Sequence, residues 1–71
     1  MIIRLRYLKD GLPTGRDYSY FSNDSVSVGD TVVISGTTKG IVTEVDVPEE
    51  DIELFKDRVK TIQGKAEDVQ Q

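Results

Sequence analysis

Thr31-Val32-Val33-Ile34-Ser35-Gly36-Thr37-Thr38-Lys39-Gly40-Ile41-Val42-Thr43-Glu44-Val45-Asp46-Val47 holds two β-branched runs separated by a polar segment with a glycine at each end. β-branched side chains lose rotamer freedom in a helix and pack well on a pleated surface, and a short glycine-bearing gap between two such runs closes a hairpin. The stretch predicts a strand over 31–35, a loop over 36–40 and a strand over 41–47. Ile41, Thr43, Val45 and Val47 are expected to face inward, with Glu44 and Asp46 toward water. A phosphate loop is excluded because the Gly-x-x-x-x-Gly-Lys-Ser/Thr spacing is absent and the segment joins strand to strand.

Upstream, Val28-Gly29-Asp30 reads as a tight turn entering the first of these strands. Asp17-Tyr18-Ser19-Tyr20-Phe21 gathers three of the five aromatic residues in a strand, with Tyr18 and Tyr20 on one face and Phe21 on the other. Asp10-Gly11-Leu12-Pro13-Thr14-Gly15 packs two glycines and a proline into a turn or short loop. Before it, Ile3, Leu5 and Tyr7 alternate with Ile2, Arg4, Arg6 and Leu8, the period of a half-buried strand over 2–8. The connection is too short for a crossover, so these two strands are antiparallel.

Downstream, Pro48 followed by Glu49, Glu50, Asp51 and Glu53, with Lys56 and Arg58 further on, matches the dipole of a helix. Ile52, Phe55, Val59 and Ile62 recur at helical spacing, so a single helix over 49–62 fits the pattern. A helix of about two turns over 49–56 and then a closing strand over 58–62 fits it as well and is the preferred reading. Gly64 is expected to end the ordered part and 66–71 to form a tail, leaving one domain over 1–65. The predicted architecture is mainly β: a small, partly closed SH3-like or OB-like barrel of four to five antiparallel strands, with one short helix before the last.

The 71 residues suffice for one domain, and 37% apolar with 31% charged residues is an ordinary globular balance. With no cysteine and no histidine the chain has no disulfide, no thiolate or imidazole metal ligand and no histidine-activated nucleophile. Serine nucleophiles such as Ser19 or Ser35 lack a lysine at Ser-x-x-Lys spacing, and the acidic run at 49–53 lacks the alternating ligands and glycine of a calcium loop. The expectation is a protein that is not an enzyme and has no cofactor or metal site. No apolar run approaches a membrane span and no leader pattern opens the chain, so a cytoplasmic setting is expected. The net charge of −4 hides a partition: +2 over 1–20, −7 over 21–55 and +1 over 56–71. Should the termini meet, a basic patch survives on an acidic molecule.

The order aromatic-x-aromatic at Tyr18 and Tyr20, Val28-Gly29-Asp30, a β-branched strand, a glycine loop and Gly40-Ile41-Val42-x-x-Val45 resembles the amino-terminal domain of the primosomal replication-restart helicase. It is also similar to small proteins of Gram-positive bacteria and their mobile elements, and the resemblance spans about residues 2 to 63. In the helicase family that domain binds the 3′ end of a DNA strand. The resemblance implies Tyr18 and Tyr20 at the aromatic positions, Gly36 as the loop glycine and Lys60 as the lysine, with Ser19 where the family has an acid.

Two functions follow from these features. The first expectation is a small module that binds another protein through a barrel face or strand edge. The alternative is a single-stranded nucleic-acid binder of replication or mobile-element transfer, with Tyr7, Tyr18 or Tyr20 stacking bases and Arg4, Arg6, Lys39 and Lys60 lining a groove. Exposed strand edges also make weak homo-oligomers an expectation.

Overall fold

The computed structural model describes residues 1–66. They form five strands and one short helix: β1 (Ile2–Lys9), β2 (Leu12–Phe21), β3 (Thr31–Ser35), β4 (Thr38–Glu44), a 3-10 helix (Glu49–Arg58) and β5 (Gly64–Lys65). All strands lie antiparallel in a single sheet of order β2-β1-β4-β3-β5. The expected mainly β fold of antiparallel strands with one short helix is present, and the sheet is not closed into a barrel. Among the described residues one isolated parallel bridge joins Phe21, at the end of β2, to Thr61.

The first hairpin is tighter than the sequence reading. Asp10 and Gly11 both take positive φ, 54° and 81°, the backbone that a two-residue turn needs to match strand twist. β2 therefore starts at Leu12, and the rest of the expected 10–15 loop is strand. Gly15 marks a bulge instead: Leu5 pairs with Tyr18 and Tyr7 with Thr14, so Gly15, Arg16 and Asp17 lie opposite Arg6 alone.

The second hairpin is also tighter, since Ser35 already pairs with Thr38 and only Gly36 and Thr37 lie between the strands. Its inward phase is the reverse of that expected. Gly40 and Val42 face the core while Ile41 and Thr43 are half-exposed. A Cβ on Gly40 would meet the Arg6 carbonyl oxygen at 2.9 Å, Leu5 Cδ1 at 3.0 Å and Ile34 Cδ1 at 3.1 Å, so the strands approach too closely there for any side chain. After Glu44 the chain leaves the sheet, and Asp46 takes a φ of 52°. Val45 then packs on the main core and Val47 on a second cluster.

The main core is Ile3, Leu5, Val26, Val32, Ile34, Val42 and Ile62, with Tyr7 and Tyr20 packed against it. The second cluster, Ile2, Val47 and Ile52 with Phe21 and Val59, uses the strand positions that alternate to the other face of the sheet. It is what anchors the helix, whose only buried residue is Ile52. The helix is interrupted at Phe55 (φ −131°, ψ 21°), so neither expected span, 49–56 or 49–62, is matched.

No strand forms over 58–62. The chain there bonds to the end of β2 and then crosses to β3: Phe21 N–H donates to the Lys60 carbonyl (2.8 Å), Ile62 N–H to the Phe21 carbonyl (2.9 Å) and Gln63 N–H to the Val33 carbonyl (2.8 Å). Gly64 does not end the structure either. Gly64 and Lys65 pair with Val33 and Val32, and Ala66 N–H donates to the Thr31 carbonyl (2.9 Å). The remainder of the expected tail, 67–71, lies outside the described residues.

Candidate functional site

Tyr7, Tyr18 and Tyr20 come together because β1 and β2 are paired with Ile3 opposite Tyr20 and Leu5 opposite Tyr18, which puts all three rings on the core side of the sheet. The Tyr7 ring lies 5.1 Å from that of Tyr18, tilted by 49°, and 6.5 Å from that of Tyr20, edge-on at 86°. The Tyr7 and Tyr20 hydroxyls are hydrogen-bonded to each other. Partial burial, and then the Tyr7 hydroxyl, push the Tyr20 phenol up to about 12. Tyr18, at the outer edge of β2, keeps 39% of its surface exposed, and the Arg16 guanidinium stands 5.8 Å from its ring centre, within cation–π range.

The 58–62 segment completes the site. A cleft of about 290 Å³ lies between Tyr18-Ser19-Tyr20 on one side and Phe55 and Arg58-Val59-Lys60 on the other. A second, of about 460 Å³, is lined by Tyr7, Tyr20, Ser35, Thr38, Lys60 and Gln63, among others. Tyr20 and Lys60 line both, so the clefts adjoin as one groove. Its first half offers aromatic faces and two cations, and its second half offers hydroxyls and an amide. No carboxylate lines either half among the described residues, and Arg16, Arg58 and Lys60 form no ion pair among them.

The residues singled out from sequence divide between two faces. Tyr18, Tyr20 and Lys60 meet in the groove. Gly36, with φ 57°, sits in the turn between Ser35 and Thr38, at the groove's hydroxyl end. Arg4 and Arg6 alternate to the opposite face and are occupied there. Arg4 Nη1 donates to Glu44 Oε1 (3.0 Å) and Nη2 to Asp51 Oδ2 (3.2 Å); Arg6 Nε donates to Asp17 Oδ1 (3.0 Å), which also accepts from Thr43 Oγ1 (3.2 Å). Arg4 is thus spent on the acidic middle and Arg6 on Asp17 of the neighbouring strand. Lys39 is exposed and, by the alternation of β4, points away from Gly40 and Val42.

Sequence reading missed Phe55, Arg58, Arg16 and Gln63. Arg58 and Lys60 carried a usable signal, because the sequence placed both in a strand over 58–62, where a spacing of two aims side chains to one side. Phe55 carried none: its helical spacing from Ile52 pointed to the core, and only the kink turns it to the groove.

Among the described residues no helix is long and apolar enough to cross a membrane. No family model, curated protein or solved structure matches the chain.

Proposed function

We propose that the chain is a non-catalytic binding module of the cytoplasm whose groove takes a single strand of nucleic acid. The observation that supports this most directly is the local sorting of charge. On a chain of net charge −4, the groove has cations and aromatic rings at its walls and no lining carboxylate among the described residues. Exposed Tyr18 is a stacking face for a base, a contact that tolerates any sequence because every base has a π-face. Arg58 and Lys60 stand in the groove wall where phosphates would pass, with Arg16 beside it over the Tyr18 ring, and Ser35, Thr38 and Gln63 supply donors and acceptors for sugars or base edges. The resemblance to the helicase amino-terminal domain, carried by Tyr18, Tyr20, Gly36 and Lys60, agrees with this choice of ligand and with a role in replication or mobile-element transfer.

The test is a fluorescence anisotropy titration of short labelled single strands at low and moderate salt, with a duplex of the same sequence as control. Binding that weakens with salt and favours the single strand is expected. No binding at low salt removes the reading.

A second reading, a module that docks another protein, draws on a different surface. Leu12 and Val28 are 68% and 62% exposed, and Val28 borders an apolar cleft with Pro13 and Ile41 on the far side of the sheet. A partner seated there would leave the groove free, so Val28→Asp would abolish capture of that partner and leave strand binding intact.

A further inference from the structure

Leu54 is 99% exposed on the 3-10 helix, while its neighbour Phe55 turns into the groove wall. The helix thus carries a projecting apolar side chain on one side and part of a recess on the other. At three residues per turn, Leu54 shares its side of the helix segment before the kink with Asp51, and Glu50 and Glu53 stand on the next side. Asp51 is tied to Arg4 (3.2 Å), but Glu50, Glu53 and Asp57 form no ion pair among the described residues. The projection is therefore apolar at its tip and acidic around it. The recess beside it is the complement: Tyr18, Phe55 and Val59 line it together with Arg58 and Lys60, and no carboxylate does among the described residues.

We propose that a second copy of this chain occupies the groove, with Leu54 of each molecule seated between Tyr18 and Phe55 of the other. One helix contributes both projection and recess, so a two-fold axis beside it makes both contacts at once, as a self-complementary dimer interface requires. Seating Leu54 in the groove brings Glu50 and Glu53 toward Arg58 and Lys60 of the other copy, so opposite charges meet there. The surface is small, which makes the dimer weak. It also makes self-association and ligand binding alternatives at one site, so a strand entering the groove dissociates the dimer.

The dimer is measured without any nucleic acid, so its failure and the failure of the strand-binding reading are separate results. Sedimentation velocity on the full chain over a concentration series should give a monomer–dimer equilibrium that shifts to monomer as salt rises. Leu54→Asp should raise the dimer dissociation constant at least about tenfold, the equivalent of losing one buried leucine contact, with an unchanged circular dichroism spectrum. The sequence has no cysteine, so single-cysteine variants give an unambiguous proximity readout. In mixtures joined by a short bis-maleimide, Leu54→Cys should couple to Ser19→Cys copies, whose thiol is at the cleft that Ser19 lines, faster than to Lys39→Cys copies, whose thiol is in the β3–β4 hairpin away from it. A monomer at every concentration, a dimer that survives Leu54→Asp, or equal coupling to the two cysteine partners would each overturn the proposal.

Discussion

At Gly40 a single hydrogen atom sets the spacing of two strands. An added methyl group would press on the Arg6 carbonyl oxygen at 2.9 Å, a backbone atom that cannot rotate away. Gly40→Ala should lower stability by roughly 1–3 kcal/mol, the usual cost of overfilling a packed site, seen as a lower urea midpoint with unchanged slope. Gly40 had read as the last residue of a loop, which is why the inward phase of β4 came out one residue off: alternation reveals period but not phase when the inward position bears no side chain. Tyr20 makes a second residue-scale prediction. Its phenol is held neutral up to about 12, above the ordinary value of 10.0, so the folded state keeps a proton that the unfolded chain releases earlier. The associated stability is complete below about pH 10 and is lost as pH rises toward 12. A tyrosinate absorbance titration should show one late-ionising tyrosine that is absent in Tyr20→Phe. In Tyr7→Phe, which removes the hydroxyl but keeps most of the burial, that tyrosine should ionise earlier while staying above 10. A Tyr20 that ionises near the ordinary value of 10.0 in the native protein would contradict both its burial and the hydroxyl pairing.

The helix depends on very little. Ile52 is its only buried side chain, it is wholly covered, and the Arg4–Asp51 contact that also ties the helix to β1 is an exposed pair worth less than about 1 kcal/mol. Ile52→Ala should therefore cost about 2–5 kcal/mol, a large share of what a domain of this size possesses, whereas Leu54→Ala at concentrations where the protein is monomeric should change stability by under about 0.5 kcal/mol. Thermal melts followed by circular dichroism compare the two, and equal losses would mean the helix is held by something other than the cluster around Ile52. Element type was legible wherever apolar residues recurred with a clear period: β1, the second half of β2 and β3 all lie where the alternation put them. Elements were misread where pattern and pairing part company. Asp10-Gly11 was itself a sufficient hairpin signal, but Pro13 and Gly15 so close behind made a loop look longer than the turn it is. Residues 58–62 alternate like a strand, yet they meet the sheet only at Phe21 before the chain crosses to β3, and nothing local in a sequence tells a ladder from a single bridge. That Tyr18, Tyr20 and Lys60 line one groove agrees with their being singled out together, and the alternation of Arg4 and Arg6 with Tyr7 already set those arginines on the other face; their partners Glu44, Asp51 and Asp17 were not legible, because they depend on the strand register.

The molecule measures 33 × 23 × 20 Å, so whether a strand feels the basic groove or the acidic whole depends on how far charge reaches in the solvent. At about 0.1 M salt the screening length is roughly 10 Å, shorter than the molecule, and a strand in the groove senses chiefly Arg16, Arg58 and Lys60. Three neutralised phosphates on a single strand give a slope of log affinity against log salt near about −2, and Lys60→Ala should flatten it by roughly 0.7. At about 0.01 M the screening length grows to roughly 30 Å and spans the molecule, so the net charge of −4 opposes the approach of a polyanion. The plot should therefore bend over at low salt rather than stay straight. Arg4→Ala separates the two regimes. It removes no groove contact but makes the net charge one unit more negative, so affinity at moderate salt should match the parent while the low-salt limb falls further. A straight plot down to the lowest salt, or an Arg4→Ala defect as large at moderate salt as that of Lys60→Ala, would place the strand on the other face of the sheet, against β1 and β4.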